Sequence, residues 1–594
     1  MTTQPTPRFL DRPLDRLCYD TAIQAGYPVL LARLLAGRGL SAKTQGIDAA
    51  VQPHLGMLDH YNGLPDIEKA ATRIASAILT GEHIALETDH DVDGVTSHAV
   101  LRAALVDHFG HPTDRLTGFI GHRLRDGYGL SATVAERILA TEPRPTLVIT
   151  ADNGSADEPR IARLAEQGID VIVTDHHELP RSGPPASAYA CISPKREDCT
   201  YPDPAIAGCM VAWLLACAVR NELHGIGHLD DRAPPMAQLL DYVAVGTVAD
   251  CVSLGSHNNR AIVGSGLARI NRQSRPCWRA ICPRLPGQAL ITATDLAFTV
   301  GPRINARGRL DEAIAGGAFL LSENDSAARG YAALLEQEND ARKAIEKKMK
   351  SQAIELAAEQ VAAGATAIVI WLPEGHAGVH GIVASRLVET YGQPVVCLSP
   401  KFGQPDLVTG SARGIPGFHV EQALQFCADR VPEMFVAFGG HEGAGGLTIA
   451  RESIESFRDS YDQAAREQLS PDQLGPRIDT DGVLQAHEMT LDTIDAISRL
   501  EPFGRGFEQP VFQGRFHVLA VKAIGDGTHL KLTLRPTDQT RGAVNGVWFN
   551  AVADAADDLP IEANDHIELA YNLTANEYRG RQVQLLVRGC RTPQ

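Results

Sequence analysis

Residues 84–97 have the sequence IALETDHDVDGVTS, in which an apolar run ends in three closely spaced carboxylates, Asp89, Asp91 and Asp93. Side chains alternate along a β-strand, so acids at every second position are predicted to share one face where a strand ends. Like charges at that spacing repel each other unless a cation lies between them, and a divalent metal ion fits this role. The stretch therefore predicts a strand, an acidic metal-binding turn and the start of a helix. Taken alone, it is also compatible with a solvated acidic turn.

Three later segments repeat this arrangement of an apolar run followed by acidic or histidine side chains. They are LVITADNGS (147–155) with Asp152, VIVTDHHELP (171–180) with Asp175, His176 and His177, and VAVGTVADCVSL (243–254) with Asp250. Helical patterns alternate with such runs, which predicts βαβ units on a parallel sheet. Ligands of these sheets bind beyond the carboxyl ends of the strands. Four strand ends are therefore predicted to bring five carboxylates and a histidine to one crevice.

The residue types in this crevice indicate which metal it would bind. One acid after one strand carries little information, and a single histidine is more often a hydrogen-bonded core residue than a ligand. Oxygen-rich ligation with one imidazole favours Mn²⁺ or Mg²⁺ over a structural zinc ion, which prefers thiolates. Six candidate ligands exceed the number that one hydrated ion needs, so two ions are predicted.

The motifs DHDVDG, ADNGS, TDHH and VGTVAD resemble the four motifs of the DHH phosphoesterase superfamily. Within that superfamily, HRLRDGYGL (122–130), AGCMVAW (207–213) and GPRINARGRL (301–310) resemble the RecJ family of bacterial single-strand-specific exonucleases. The resemblance implies an α/β fold: a parallel-sheet DHH domain and a smaller α/β DHHA1 domain joined by a long helix, with a C-terminal OB-fold β-barrel.

The expected domain boundaries combine this resemblance with shifts in composition. They delimit an N-terminal helical segment (1–80), the DHH catalytic domain (81–320), a long connecting helix (321–364), the DHHA1 substrate-binding domain (365–465) and the OB-fold nucleic-acid-binding domain (478–594). The connecting segment is rich in helix formers and lacks proline, so its helix would span roughly 50 Å. The last domain alternates apolar and polar positions between short turns, as a small β-barrel does.

The resemblance implies a role for each residue of the predicted metal centre. The expected ligands are Asp89, Asp91, Asp93, Asp152, His176 and Asp250. Asp152 is expected to bridge the two ions, and Asp89 either binds the first ion or supports its ligands. His177 is expected to contact the scissile phosphate, and Asp175 to orient a histidine.

Two positions in the first motif depart from the family's common pattern. His90 stands where a smaller or aromatic residue is more usual, and Val92 stands where an alanine is more usual. The first of them lies among the acids. Strand alternation predicts that its side chain points away from the acids and is not a ligand. Its protonation is still expected to offer a way of tuning the site.

Basic and glycine-rich segments predict the contacts with substrate. The expected substrate-binding residues are Arg123, Tyr128, Arg303, Asn305, Ser385, Arg386, His441 and Lys531. Arg303 and Asn305 lie in a Gly-bounded basic stretch that we interpret as a loop cradling phosphate, for which a solvated basic loop is the alternative. Ser385, Arg386 and His441 match DHHA1 motifs.

The C-terminal barrel contributes a second predicted binding surface. Lys531 is grouped there with four aromatic residues as a basic, stacking surface for single strands: Trp548, Phe549, Tyr571 and Tyr578. Some of these aromatic side chains are expected to be core residues instead.

Composition places limits on these expectations. The net charge of −17 and pI near 5.7 are unusual for a nucleic-acid binder, although a local basic groove and bound metal ions can offset them. Eleven cysteines without a CxxC pair predict reduced thiols. The absence of a membrane-length apolar stretch and of a secretory signal predicts a cytoplasmic protein with no membrane contact.

The favoured hypothesis is a single-stranded-DNA-specific exonuclease that degrades 5′→3′ to 5′-mononucleotides by two-metal-ion hydrolysis, in DNA repair and recombination. Its polarity and DNA preference rest on the resemblance alone. The alternative is a DHH phosphodiesterase of oligoribonucleotides or cyclic dinucleotides, whose members usually lack the terminal barrel. A non-catalytic binding module is disfavoured because every expected ligand is present. The family implies single-stranded DNA, a helicase and a single-strand-binding protein as partners, and a monomer is expected.

Overall fold

The computed structural model describes residues 5–40, 44–122, 126, 128–284, 290–310, 314–539, 541–552, 555, 558–577 and 580–593. The chain divides into two compact units. Unit 1 comprises Met1–Pro13, Asp340–Asp495 and Pro510–Gln594, and unit 2 comprises Leu14–Asn339 and Ala496–Gln509. Each unit is therefore assembled from segments that are distant in sequence.

The strands are, in chain order, β1 (Arg8–Asp11), β2 (Ile84–Thr88), β3 (Leu116–Ile120), β4 (Leu147–Ala151), β5 (Asp170–Thr174), β6 (Ala190–Ile192), β7 (Ile368–Trp371), β8 (Val395–Lys401), β9 (Gln404–Arg413), β10 (Phe435–Gly440), β11 (Ala444–Ala450), β12 (Arg477–Thr480), β13 (Phe512–Ile524), β14 (His529–Pro536), β15 (Val544–Trp548), β16 (His566–Asn576) and β17 (Gln582–Arg591).

The α-helices are α1 (Arg16–Gln24), α2 (Val29–Ala36), α3 (Thr44–Val51), α4 (Ile67–Thr80), α5 (Val92–Ala103), α6 (Ala132–Leu139), α7 (Glu158–Ala165), α8 (Gly208–Gly225), α9 (Leu240–Ala249), α10 (His257–Asn271), α11 (Pro276–Ile281), α12 (Ala293–Asp295), α13 (Gly301–Leu310), α14 (Ile314–Leu320), α15 (Asp325–Ala362), α16 (Ala377–Tyr391), α17 (Val420–Arg430), α18 (Ile454–Gln468) and α19 (Leu491–Ser498). No helix among the described residues combines the length and the apolar character that crossing a membrane requires.

A five-stranded parallel sheet forms the centre of unit 2, in the order β3-β2-β4-β5-β6. Strands β2 and β4 are buried along their whole length, which explains why their sequences are predominantly apolar rather than alternating. Because all five strands are parallel, the residues that follow β2, β4 and β5 meet at one edge of the sheet.

Unit 1 contains two larger β-structures and one small one. Strands β10-β11-β9-β8-β7 form a mixed sheet, and β13-β14-β15-β17-β16 form a closed barrel. The N-terminal strand β1 pairs in parallel with β12, so the segment for which only helices were predicted also contains a strand. The barrel matches the alternation read from its sequence, since buried and solvent-facing positions alternate along β14.

The fourth apolar run, 243–254, was predicted to be a strand, and this prediction is wrong. Residues 243–249 lie in helix α9, which packs against α5, α8 and α10 and is buried on every side, and the rest of the run follows the end of that helix. A helix that is apolar all round has no amphipathic period, so its sequence cannot be told from a buried strand by pattern alone.

The basic stretch 301–310 was interpreted as a loop, and it is helix α13 instead. A π-helical turn, Leu296–Val300, leads directly into it. Proline at its second position is compatible with a first helical turn, and its arginines are good helix formers. The long helix α15 has the character predicted, with Asp325–Asn339 belonging to unit 2 and the remainder to unit 1.

The segment Ala496–Gln509, here called the return segment, begins in the last turn of α19 and leads to the barrel, but it belongs to unit 2. Arg260 of α10 is fully buried and donates to the carbonyl oxygens of Leu500 at 2.8 Å, Pro502 at 2.9 Å and Ala50 at 3.1 Å. Its guanidinium carbon lies 3.8 Å from the ring centroid of Phe507. Burial lowers the pKa of Arg260 to about 9. One buried side chain therefore fastens the return segment to unit 2.

We expect Arg260→Met to lower the free energy of unfolding by about 3 kcal/mol or more, because it leaves several buried carbonyl groups without donors. Limited proteolysis should then cut the return segment. Arg272→Met, at the exposed end of the same helix, is the matched control. Urea unfolding followed by circular dichroism measures the difference, and equal midpoints for the two variants would contradict the anchoring role.

Candidate metal centre

The acids after β2 lie in a turn and a helix start rather than on one strand face, which corrects the predicted spacing argument. Asp91 is the N-cap of α5, and its Oδ1 accepts hydrogen bonds from the N–H groups of Asp93 at 2.8 Å and Gly94 at 3.2 Å. A Cβ at Gly94 would lie 2.3 Å from the carbonyl oxygen of Asp89, so only glycine allows this tight turn. Because the chain turns sharply directly after β2, the carboxylates of Asp89, Asp91 and Asp93 still converge.

Helix α8 holds Asp93 through backbone groups that the sequence analysis did not identify. The N–H of Gly208 donates to Asp93 Oδ2 at 2.6 Å, and the N–H of Cys209 donates to Oδ1 at 3.0 Å. A Cβ at Gly208 would lie 2.7 Å from Asp152 Oδ1, and one at Gly246 would lie 2.7 Å from Asp93 Oδ1. The glycines of AGCMVAW and VGTVAD were the available signal, because each lets a helix approach a carboxylate closely.

The end of β5 positions two histidines through one carboxylate. Oδ1 of the buried Asp175 accepts from the N–H groups of His176 at 2.7 Å and His177 at 3.1 Å, and lies 2.9 Å from His177 Nδ1. Burial would raise the pKa of Asp175, but its hydrogen bond to His177 and the nearby histidine charges hold that pKa below its usual range. Burial would lower the pKa of His177, but the hydrogen bond and charge of Asp175 raise it to about 9. The pair is therefore an imidazolium and a carboxylate at neutral pH.

His176 lies among three carboxylates. Its Nε2 is 3.1 Å from Asp152 Oδ1, 3.7 Å from Asp93 Oδ2 and 3.7 Å from Asp250 Oδ2. Ligand atoms lie within 4.8 Å of one another in three groups: Asp89, Asp91 and Asp152; Asp93, His176 and Asp250; Asp152, His176 and His177. Asp152 belongs to two of the groups, and its backbone adopts a left-handed φ of 66° directly after β4.

Asp250 reaches the same centre from a helix rather than from a strand end. It is the C-cap of α9, and the burial of that helix against α5 and α8 carries the residue to the edge of the sheet. Its side chain is 22% exposed, whereas those of Asp93 and Asp152 are almost completely buried. Asp250 therefore marks the side of the centre that is open to solvent.

The donor set fits divalent cations. Asp152 Oδ1 and His176 Nε2 are buried and have no hydrogen-bond partner within the described part of the chain. Burial, together with Asp93, Asp91 and other neighbouring carboxylates, raises the pKa of Asp152 well above its usual range. Burial, together with Asp93 and Asp91, raises the pKa of Asp250 to about 9. These acids cannot all be ionised together without compensating positive charge, and carboxylates with one imidazole suit Mn²⁺ or Mg²⁺.

His90 does not point away from the acids as predicted. Its Nδ1 lies 2.9 Å from Asp89 Oδ1, and both side chains are buried. Strand alternation ends with Thr88, the last residue of β2, so it does not determine the direction of a side chain two positions later. His90 therefore contacts the Asp89 carboxylate directly and can hold it in position.

Two of the predicted substrate-binding residues in unit 2 contact other residues of the protein: Tyr128 near the metal centre and Arg303 on α13. The hydroxyl of Tyr128 lies 2.9 Å from His177 Nδ1 and donates to the Asp152 carbonyl at 3.3 Å. Arg303 forms a two-bond ion pair with Glu336 of α15, at 2.7 and 2.9 Å. The Arg303 guanidinium is thus already paired with a carboxylate of the protein.

Asn305 and Arg123 are the other two predicted substrate contacts whose positions fall within unit 2. Asn305 is half-buried, and its Oδ1 has no hydrogen-bond partner among the described residues. Arg123 lies outside the described residues.

The remaining predicted substrate contacts lie in unit 1. Ser385 donates to the Gly381 carbonyl at 3.1 Å, and Arg386 pairs with Glu389 at 2.9 Å, both along α16. His441 follows β10, where its Nδ1 accepts from the Gly443 N–H at 3.1 Å. Lys531 is exposed on β14.

The aromatic residues of the predicted stacking surface divide into different environments. Tyr571 is fully buried and packs in the barrel core against Phe512 and Phe516, so it is one of the core residues expected among the four and not part of a stacking surface. Phe549 is exposed and Trp548 is half-buried. Tyr578 lies outside the described residues.

Family models match three parts of the chain. The N-terminal domain of the DHH family matches residues 83–247, the DHHA1 domain matches 364–467 and the RecJ OB domain matches 480–589. The parallel sheet, the second α/β domain and the closed barrel confirm the predicted fold class. With the carboxylate cluster at the strand ends, these features define a metal-dependent phosphoesterase of the DHH superfamily.

Similar proteins identify the branch of that superfamily. The single-stranded-DNA-specific exonuclease RecJ of Salmonella typhimurium is 35% identical over 576 residues, covering 95% of this chain and 96% of the relative. RecJ of Escherichia coli is 35% identical over 574 residues, covering 95% and 96%. The crystal structure of RecJ in complex with Mn²⁺ from Thermus thermophilus matches with a TM-score of 0.79 and 25% identity, covering all of this chain and 80% of that one. The chain belongs to the RecJ family.

We expect Mn²⁺ to raise the melting temperature, and the increase to grow with pH. Between the ordinary aspartate pKa of 3.8 and about 9, the metal-free folded state holds protons on Asp250 that the unfolded state has lost. Its stability therefore falls as pH rises through this window. A bound cation replaces those protons, so its effect is larger at pH 8 than at pH 6.

Differential scanning calorimetry with Mn²⁺ and with EDTA at both pH values measures this effect. Asp152→Asn, which removes a shared ligand, should abolish most of the increment, whereas the exposed Asp231→Asn should retain it. An increment that is the same at both pH values would rule out proton displacement from the acids.

Proposed function

We propose that this protein hydrolyses single-stranded DNA from its 5′ end and releases 5′-mononucleotides, in DNA repair and recombination. The observation that carries the proposal is the convergence of five carboxylates and His176 at one edge of the parallel sheet, in a chain that belongs to the RecJ family. The terminal barrel disfavours an enzyme of cyclic dinucleotides or short oligoribonucleotides, which would have little use for an additional single-strand surface.

Asp152 is the proposed shared ligand of two ions, Mn²⁺ or Mg²⁺. Asp89 and Asp91 would complete one site, and Asp93, His176 and Asp250 would complete the other. Such a pair of ions activates water and stabilises the leaving oxygen of a phosphodiester. The backbone N–H groups that fix Asp93, and the cap that fixes Asp91, hold the ligands in place before substrate arrives.

His177 is the proposed contact with the scissile phosphate. Asp175 holds its Nδ1, so Nε2 is the ring atom available to donate to a phosphate oxygen. The raised pKa keeps the ring charged at neutral pH, which favours negative charge developing on the phosphate. Tyr128 adds a second polar contact to the same ring edge.

The remaining assignments extend this proposal along the strand. Arg123, Arg303, Asn305, Ser385, Arg386 and His441 are proposed to contact substrate phosphates, and Lys531 is proposed to contact the strand on the barrel. Arg303 would have to exchange part of its ion pair with Glu336 for that contact. The domain boundaries proposed are 1–80, 81–320, 321–364, 365–465 and 478–594. A cytoplasmic monomer that receives single strands from a helicase and a single-strand-binding protein accords with this activity.

We expect a strand labelled at its 5′ end to release labelled mononucleotide at once, and the same strand labelled at its 3′ end to shorten gradually. Both reactions need Mn²⁺ or Mg²⁺, and duplex DNA and an equivalent RNA run beside them. Gel electrophoresis of time points separates the products. Immediate release from the 3′ label, or faster cleavage of the RNA, would move the protein to the oligoribonuclease branch.

We expect His177→Gln to lower kcat roughly a hundredfold while Mn²⁺ binding persists, because glutamine can donate a hydrogen bond but carries no charge. Wild-type activity should fall as pH rises past about 9, where His177 loses its proton. The variant should lack that decline.

His224→Gln is the matched control, since His224 also pairs with an aspartate but on an exposed surface. Steady-state rates between pH 7 and pH 10 give both measurements. A variant that keeps the wild-type rate and the wild-type decline would exclude His177 from the reaction.

A further inference from the structure

The return segment carries an arginine, Arg505, to the side of the metal centre where Asp250 is open to solvent. The loop after α9 holds the segment there, since the N–H of Leu254 donates to the Arg505 carbonyl oxygen at 2.7 Å. The glycines on either side of Arg505 permit this approach. A Cβ at Gly504 would lie 2.7 Å from Leu254 Cδ1, and one at Gly506 would lie 2.3 Å from Ser253 Oγ.

The anchors described above fix the position of this backbone. Arg260 binds the carbonyls of Leu500 and Pro502 before Arg505, and Arg38 donates to the Glu508 carbonyl at 2.8 Å after it. The sequence PFGRGF thus has a rigid frame around one exposed, cationic side chain. This frame buries the charged side chains of Arg260 and Arg38, and burying charge costs free energy. We therefore expect the arginine that the frame presents to have a role.

The guanidinium of Arg505 lies close to the acidic centre but is not ion-paired with its carboxylates. Its one hydrogen bond within the described residues is a long one, from Nη1 to the Cys251 carbonyl at 3.4 Å. It forms no ion pair within 4.0 Å among those residues, yet it is close enough to Asp250 to act on its charge. Arginine has five N–H donors, so most of its hydrogen-bonding capacity faces solvent.

Two cationic side chains therefore lie near Asp250. His177 and Arg505 both act electrostatically on that carboxylate, and the Arg505 guanidinium contacts the carbonyl of the next residue, Cys251. The guanidinium matches the geometry of two phosphate oxygens, so it suits a phosphate bound at the centre. Two other arginines of unit 2 contrast with this one, because Arg260 and Arg303 donate to protein acceptors at 3.1 Å or less.

We propose that Arg505 binds a phosphate of the DNA strand at the metal centre, which makes the return segment part of the active site. This inference rests on the proposed hydrolysis of single-stranded DNA. It assigns a substrate contact to a residue that follows the DHHA1 domain in sequence, although its neighbours in space are the elements of unit 2.

The experiment compares the full-length wild type with Arg505→Gln, Arg505→Lys and the matched control Arg499→Gln. Arg499 is an exposed arginine of the same segment, beside Tyr27. Three quantities are measured for each protein: kcat/KM on a single strand with Mn²⁺, Mn²⁺ affinity by calorimetry, and the salt dependence of strand binding. The binding experiments use Ca²⁺ in place of Mn²⁺, with intact strand verified on a gel.

For Arg505→Gln we expect kcat/KM to fall about ten- to hundredfold, as for the loss of a hydrogen bond to a charged group. The slope of log affinity against log salt should decrease by about 0.7, as for one lost phosphate contact on a single strand. Mn²⁺ affinity should stay within about twofold of the wild type. In both kcat/KM and salt slope, Arg505→Lys should lie between the wild type and Arg505→Gln, and Arg499→Gln should match the wild type.

Two results would overturn the inference. Unchanged kcat/KM and salt slope in Arg505→Gln would show that no phosphate contacts this side chain. A parallel loss of Mn²⁺ affinity would show that Arg505 positions Asp250 instead. If the wild type did not degrade single strands, the proposed function would fail, while the salt slope would still decide the phosphate contact.

Discussion

Repulsion between buried carboxylates is the constraint on which unit 2 depends. Asp93 and Asp152 are almost completely buried, Asp91 adjoins them, and Asp250 closes the group. Burial raises the pKa values of Asp152 and Asp250, and each ionised carboxylate in this low-dielectric interior raises them further by increasing the cost of ionising the next. The sheet, the cap of α5 and the start of α8 hold these acids together against that repulsion, so cations complete the structure as well as supplying chemistry.

Backbone geometry achieves this with few side chains. Gly208 and Gly246 bring the main chain of two helices within contact distance of a carboxylate, and Gly94 lets the turn after β2 close against the Asp89 carbonyl. N–H groups at the start of α8 then bind Asp93 directly, where a longer side chain would have needed room and entropy. Contacts from four segments of the chain therefore hold the centre rigid.

The sequence predicted the parts of this centre that depend on local pattern. Buried parallel strands with acids at their ends are recognisable because apolar β-branched runs, turns and helices alternate in order. The features that depend on tertiary packing were predicted incorrectly or not at all. Helix α9 has no period to reveal it, α13 looks like a loop by composition, and His90 follows the turn rather than the strand. The roles of Arg260 and Arg505 depend on contacts between residues some 240 positions apart, for which a single sequence has no signal.

The return segment also determines when unit 2 can be completed during synthesis. Arg260 needs acceptors that the chain does not contain until Leu500 and Pro502 have been made. At about 5–20 residues per second, translation separates these residues by roughly tens of seconds. During that interval α10 carries a guanidinium group without its final partners, and the surroundings of Asp250 lack Arg505. The nascent chain therefore reaches its finished catalytic unit only after the whole DHHA1 domain has left the ribosome.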